Sequence, residues 1–192
     1  LVGLNVTIPH KENVIALLDD LSDEARAIGA VNVVKIERVD EGNLRLVGHN
    51  SDVIGFRNSI EPLIRADQRS ALILGTGGAS KAVARALGNM GISFKYVSRN
   101  SRENVFSYEE LTKEVIDAYS IIINATPLGT FPKVDLCPDI PYDYISSNHL
   151  LYDLVYNPAE TLFLKKGKEQ GAKTKNGEEM LILQADAAWN IW

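Results

Sequence analysis

The ten residues Ala71-Leu-Ile-Leu-Gly-Thr-Gly-Gly-Ala-Ser80 restrict the fold of this chain more than any other stretch. Apolar residues run directly into Gly75, Thr76, Gly77 and Gly78, and a helical apolar face follows at Ala82, Val83, Ala86, Leu87 and Met90. Strand, tight turn and helix in that order make the opening unit of a doubly wound α/β sheet. In such a unit Gly75 forms the turn and Gly77 lets backbone N–H groups approach a pyrophosphate. The helix start adds unpaired N–H groups and the positive end of its dipole. Ser80 stands where the usual G-x-G-x-x-G pattern has its third glycine, and a purely structural turn in another α/β protein would satisfy the same residues.

The next strand, Phe94-Lys-Tyr-Val97, narrows the choice. A site for NAD places an acid at the end of this strand to hold the ribose 2′-OH. Here the chain reads Ser98-Arg99-Asn100-Ser101-Arg102, with no acid and two arginines. A guanidinium fork suits a 2′-phosphate, so NADP is favoured over NAD. A solvated surface turn is the competing reading of the same residues.

The whole chain bounds the remaining possibilities. Its 192 residues, 45% hydrophobic and 23% charged, suit one large domain or two small ones. A net charge of −5 argues against a general nucleic-acid binder. Cys137 is the sole cysteine, so no intrachain disulfide can form. No apolar run reaches membrane-spanning length and no basic-then-apolar leader is present, which leads to the expectation of a cytoplasmic protein without membrane partners. No His, Cys and acid cluster has metal spacing, so no metal is expected.

In chain order, residues 1–8 read as a strand and Pro9 as the opening of a helix buried through Val14, Leu17, Leu18 and Leu21. Ser22 caps a short helix ending at Gly29, and Val31 to Ile36 pairs with Leu44 to Val47 across Gly42-Asn43. A helix with Val53, Phe56, Ile60 and Leu63 on its face precedes a polar crossing at residues 65–69. Strand, helix, strand, helix and strand follow, ending in the near-continuous apolar run Ile121 to Asn124 expected of a covered parallel sheet. Leu150 to Val155 is a further buried strand, residues 161–170 and 178–192 are helices, and residues 172–175 are a short strand. The chain opens at Leu1, already within a strand, which suggests a preceding N-terminal part.

Taken together, the motifs resemble the shikimate dehydrogenase family over essentially the full length. Asn5-Val-Thr7-Ile-Pro9-His-Lys11-Glu12 resembles the family's N-V-T-x-P-x-K signature, and Gly29-Ala-Val-Asn32 its G-A-V-N segment. Gly48-His-Asn50-Ser51-Asp52-Val-Ile-Gly55 resembles its G-x-N-T-D-x-x-G, with Ser51 for Thr. Gly75-x-Gly77-Gly78-Ala79 matches the nucleotide loop, and Ser98-Arg99-Asn100 resembles the N-R-T phosphate clamp through Arg99. Asn124-Ala-Thr126-Pro-Leu-Gly129 and Asp153-Leu-Val-Tyr156-Asn-Pro158 match two further blocks. In the last block Gly177, Met180 and Gln184 keep their places and Glu179 replaces a glycine.

The resemblance implies an NADP-dependent oxidoreductase interconverting 3-dehydroshikimate and shikimate on the route to chorismate and the aromatic amino acids, acting as a monomer or homodimer. It implies a substrate domain over 1–66, N-terminally incomplete and lacking the serines that clamp the substrate carboxylate, then a Rossmann-like dinucleotide domain over 67–174. Residues 175–192 would form a helix returning to the first domain, with Gln184 facing Asp52 across the cleft. Lys11 and Asp52 become the catalytic pair, because oxidising an alcohol requires removing its hydroxyl proton as well as a hydride. An ionised Asp52 favours charged lysine, so Asp52 is chiefly an orienting partner and hydrogen-bond acceptor. Asn5, Thr7, Asn32, Tyr156 and Gln184 become polyol ligands, neutral groups suited to hydroxyls. Gly75, Thr76, Gly77, Gly78, Ala79, Ser98, Arg99, Asn124, Thr126 and Gly177 become the cofactor contacts. His10 and His49 are bystanders. A quinate/shikimate dehydrogenase tolerant of NAD, and a non-catalytic nucleotide-binding regulator on the same fold, are the alternatives.

Overall fold

The computed structural model describes residues 1–40 and 42–192, arranged around two sheets. The first has four strands in the order β1 (Gly3–Asn5), β3 (Val33–Asp40), β4 (Asn43–His49), β2 (Asp20–Leu21). β3 and β4 form an antiparallel hairpin, β1 adds antiparallel to β3, and β2 adds parallel to β4. Between β2 and β3 lies α1 (Asp23–Ile28), capped by Ser22, whose Oγ accepts from Ala25 N, and stopped by Gly29 in the left-handed region.

The second sheet is parallel throughout: β10 (Lys173–Lys175), β9 (Leu150–Asp153), β8 (Ile121–Asn124), β5 (Ser70–Leu74), β6 (Ser93–Ser98), β7 (Val105–Ser107). All residues of β8 and β9 are buried, as strands covered on both faces must be. α3 (Gly78–Asn89) connects β5 to β6, α4 (Lys113–Ala118) leads to β8, and α5 (Leu162–Glu169) leads to β10. The order of strands reverses between β5 and β8, which opens a crevice at their carboxyl ends.

Two helices join the sheets. α2 (Asp52–Ile60) presents Phe56 edge-on to Tyr152 of β9, ring centroids 5.1 Å apart, and its Ser59 hydroxyl lies 2.6 Å from that tyrosine's. Val53, Phe56 and Ile60 share one core with Ala71 and Ile73 of β5 and Ala82 and Val83 of α3. α6 (Glu178–Ile191) starts beside the second sheet and runs along α2 to the first. Trp192 Nε1 donates to Val34 O at 3.2 Å.

Three expectations for local structure change. The first strand is only three residues long, and no helix opens at Pro9. Instead His10 N donates to Thr7 O at 2.8 Å, and a short 3₁₀ turn follows at Asn13–Leu17. Lys11 O is taken by Val31 N at 2.7 Å, just ahead of the hairpin, so this carbonyl is lost to a helical ladder and only the single α-helical turn Val14 N to His10 O forms there. The helix after residue 52 breaks into α2 and a 3₁₀ turn at Glu61–Leu63, where Pro62 ends the regular ladder. β7, three residues at the sheet edge, is too short to show a period.

Candidate active site

The turn at residues 7–11 aims Lys11 toward the start of α2. Its Nζ lies 2.6 Å from Asp52 Oδ2, with both side chains largely buried. Asp52 is the first residue of its helix, but its carboxylate does not cap the helix. Its backbone N–H is satisfied by Asn50 Oδ1 at 3.1 Å, which leaves the carboxylate free to face Lys11. Asn32, buried just ahead of β3, donates Nδ2 to Asp52 Oδ1 at 2.9 Å and to Ser51 Oγ at 3.0 Å, while its Oδ1 accepts from Ser51 N at 2.7 Å. An asparagine inside a β-branched run is thus explained by its polar partners.

Gln184 joins this group from 152 residues away, its Oε1 3.4 Å from Asn32 Nδ2 and 3.3 Å from Ser51 Oγ. Gly55 makes the approach possible. A Cβ there would fall 2.7 Å from Met180 O and 2.8 Å from Gln184 Cβ, so α2 and α6 meet backbone to backbone. Lys11, Asp52, Asn32, Ser51 and Gln184 form one connected polar network at the cleft.

A cleft of about 670 Å³ separates this network from the second sheet. Asn5, Thr7, Lys11, Asn32, Asp52 and Gln184 line one side, and Ala79, Thr126, Val155, Tyr156 and Gly177 the other. Tyr156 is half exposed there and is not a core residue. Gly75 has φ of 104°, and a Cβ on it would press against Thr126 and Ala125. By contrast, nothing lies within 4 Å of a Cβ built on Gly77, at the start of the twelve-residue α3. Space of that kind before open helix N–H groups fits a pyrophosphate. Ser80 is buried and donates Oγ to Gly77 O at 2.6 Å, so it closes the turn that a third glycine would otherwise shape.

Ser98 ends β6, and Arg99 follows it, exposed and, among the described residues, without an acidic partner. That leaves its guanidinium available for a phosphate. Asn124, expected as a cofactor contact, is fully buried and absent from the cleft wall. Its Oδ1 accepts from Thr126 N and Thr126 Oγ1, at 3.0 and 2.6 Å. Gly75, Thr76, Gly77, Gly78, Ser98 and Arg99 flank the crevice without lining this central cleft. His10 is exposed, and His49 has its pKa lowered by burial and by nearby Lys35. No group of His, Cys, Asp or Glu among the described residues could hold a metal ion.

Sequence reading passes over three participants. Ser51 reads as a helix cap, but its hydroxyl serves Asn32 and Gln184. Glu12 lies beside Lys11 and pairs with Lys81 of α3 at 2.8 Å, a contact between the two halves that no local pattern announces. Asp153 opens a block that resembles the family's, but nothing in the sequence gives it a role in the site.

Residues 1–34 match the family model for the shikimate dehydrogenase substrate binding domain. A shikimate dehydrogenase (NADP(+)) of Methanosphaera stadtmanae is 40% identical over 207 residues, covering 99% of this chain and 71% of that protein. This chain belongs to the shikimate dehydrogenase family. Among solved structures, the shikimate dehydrogenase of Thermus thermophilus in complex with NADP(H) and shikimate superimposes with a TM-score of 0.84 at 33% identity. That match covers all of this chain and 73% of the other. A quinate dehydrogenase of Corynebacterium glutamicum in complex with NAD gives 0.85 at 31% identity, covering 100% and 72%. The shikimate dehydrogenase fold therefore accommodates both cofactor types in its solved members, and the strand-end residues at 98–100 are where this chain differs chemically from an NAD site.

Proposed function

We propose that this chain transfers hydride reversibly between NADPH and 3-dehydroshikimate, giving shikimate, in the synthesis of chorismate and the aromatic amino acids. Residues 1–66 serve as the substrate domain, 67–174 as the dinucleotide domain, and 175–192 as the helix that returns to the first. The observation carrying this reading is the network of Lys11, Asp52, Asn32 and Gln184 facing Ala79, Thr126, Tyr156 and Gly177 across one cleft, beside the glycine turn. When bound, the nicotinamide supplies or accepts the hydride. Lys11 Nζ donates the proton to the forming alkoxide in reduction and takes it back in oxidation. Asp52 holds that amine by a 2.6 Å contact and offers an acceptor to a substrate hydroxyl. Asn5, Thr7, Asn32, Tyr156 and Gln184 orient the remaining hydroxyls. The N–H groups around Gly77 to Ala79 hold the pyrophosphate, and Ser98 and Arg99 the 2′-phosphate. Thr126 and Gly177 border the nicotinamide.

Oxidation of shikimate and of quinate, each with NADP and with NAD, followed at the nicotinamide absorbance, tests the reading. Shikimate with NADP is expected to give the highest kcat/KM. A clear preference for quinate and NAD would replace this reading with the second one, which the NAD-bound quinate dehydrogenase of the same fold brings forward. Arg99→Ala is expected to weaken NADPH about ten- to a hundredfold, the loss of a charge-assisted contact, and to leave NADH nearly unchanged. Equal losses for both would make Arg99 a structural residue.

A further inference from the structure

Asp153 closes β9 and is completely buried. Its carboxylate accepts from three neutral donors: Asn124 Nδ2 at 2.9 Å and Val155 N at 3.0 Å on Oδ1, and Thr161 Oγ1 at 2.6 Å on Oδ2. Among the described residues no cation pairs with it. Burial pushes its pKa up to about 6, against the three hydrogen bonds that lower it. An acid in that position costs stability, and such a cost at a site points to a role for its geometry.

The geometry leads into the cleft. A carboxylate only accepts, so Asn124 must turn its amide nitrogen to Asp153 and its oxygen to Thr126. Asn124 Oδ1 then fixes both the N–H and the hydroxyl of Thr126, whose methyl group lies 3.0 Å from the Cβ position of Gly75. On the same carboxylate, Val155 N is held at the start of the next loop, and Thr126 and Val155 both line the cleft. These loops follow β8 and β9, on the far side of the switch point from Arg99. A dinucleotide laid across the crevice with its adenosine half at Arg99 brings its nicotinamide half to them.

We propose that Asp153 is a positioning residue for the nicotinamide half of the cofactor, acting through Asn124 on Thr126 and directly on Val155. This rests on the NADP-dependent reading above. Asp153 touches neither cofactor nor substrate. It sets the wall against which the reactive ring is oriented, and misplacement of that ring costs rate more than affinity.

The test separates the two halves of the cofactor in the full chain. 2′,5′-ADP binding reports the adenosine half, and the emission change of NADPH on binding reports the nicotinamide half. In Asp153→Ala the affinity for 2′,5′-ADP is expected to stay within about twofold of wild type, with the NADPH emission change strongly reduced and kcat lower by about tenfold or more. Asp153→Asn keeps Oδ1 as acceptor and can donate to Thr161, and is expected to restore kcat to within about threefold and to restore the emission change. Asn124→Ser breaks the relay while leaving Asp153 with Val155 and Thr161, and is expected to repeat the selective loss even if Asp153→Ala does not fold. Wild-type emission and turnover in Asn124→Ser or Asp153→Ala, equal loss of 2′,5′-ADP binding, or an Asp153→Asn as poor as Asp153→Ala would each overturn the proposal. An unsubstituted chain that binds no 2′,5′-ADP and oxidises no shikimate sinks the parent reading and this one together.

Discussion

In the proposed mechanism Lys11 and Asp52 divide one task between two pieces of local structure: the turn after Thr7 supplies the amine, and the first residue of α2 supplies the acceptor. Lys11→Ala is expected to reduce kcat about a hundredfold or more, the usual worth of a proton-transfer group, with NADPH binding nearly unchanged. Near-normal turnover in steady-state assays would remove Lys11 from the mechanism. Asp153 yields a separate expectation from its acid–base behaviour. Its pKa is about 6 in the fold against an ordinary 3.8, so the folded state binds its proton more tightly than the unfolded chain does. Its contribution to stability is therefore most favourable below pH 3.8, is lost as pH rises through 6, and leaves a cost of about 3 kcal/mol above that. Asp153→Asn is expected to raise Tm by several degrees at about pH 8 and to give no gain at about pH 4. A shift of equal size at both values would contradict the linkage. These residues also differ in legibility. All three lie in motifs, but the motifs of Lys11 and Asp52 carry a stated chemistry, while the proposed role of Asp153 passes through a side chain, Asn124, 29 residues away on the neighbouring strand.

At the scale of elements, the α2–α6 contact depends on one missing side chain. Gly55→Ala would set a Cβ within 2.9 Å of Gln184 N and 2.7 Å of Met180 O, backbone atoms that cannot step aside alone. The helices are expected to separate at a stability loss of about 1–3 kcal/mol, as overpacked positions show. Shikimate KM should rise as Gln184 withdraws, with NADPH affinity kept. Chemical denaturation beside steady-state kinetics checks both, and an unaltered KM would detach Gln184 from substrate binding. Period and punctuation make most elements readable: the glycine turn, the buried runs of β8 and β9, the Ser22 cap and the Gly29 stop. The segment at 9–17 is not, because Lys11 O bonds to Val31, a partner no local rule identifies. β7 is stabilised by pairing with β6 and carries too few residues to announce itself.

At the scale of the molecule, two ion pairs join the segments around the first sheet to α3, Glu12–Lys81 at 2.8 Å and Glu24–Arg85 at 3.0 Å. They are partly exposed, and at about 1 M salt the screening length falls to about 3 Å. Shikimate KM at saturating cofactor is expected to rise modestly between low and high salt, and Glu24→Gln should flatten that dependence. A variant with the wild-type salt response would show that the pair does not hold the halves together. The crossing of α6 has a further consequence, for synthesis. A ribosome makes the six parallel strands before α6, so the nucleotide crevice can assemble on an incomplete chain. The polar network opposite is complete only later, because Asn32 and Ser51 lack their Gln184 partner, and the groove above Gly55 stays uncovered, until α6 is made. Contacts of such sequence separation form late and slowly. Synthesis thus orders the two sides of the cleft in time, with the proposed cofactor side formed before the polar network that Gln184 completes.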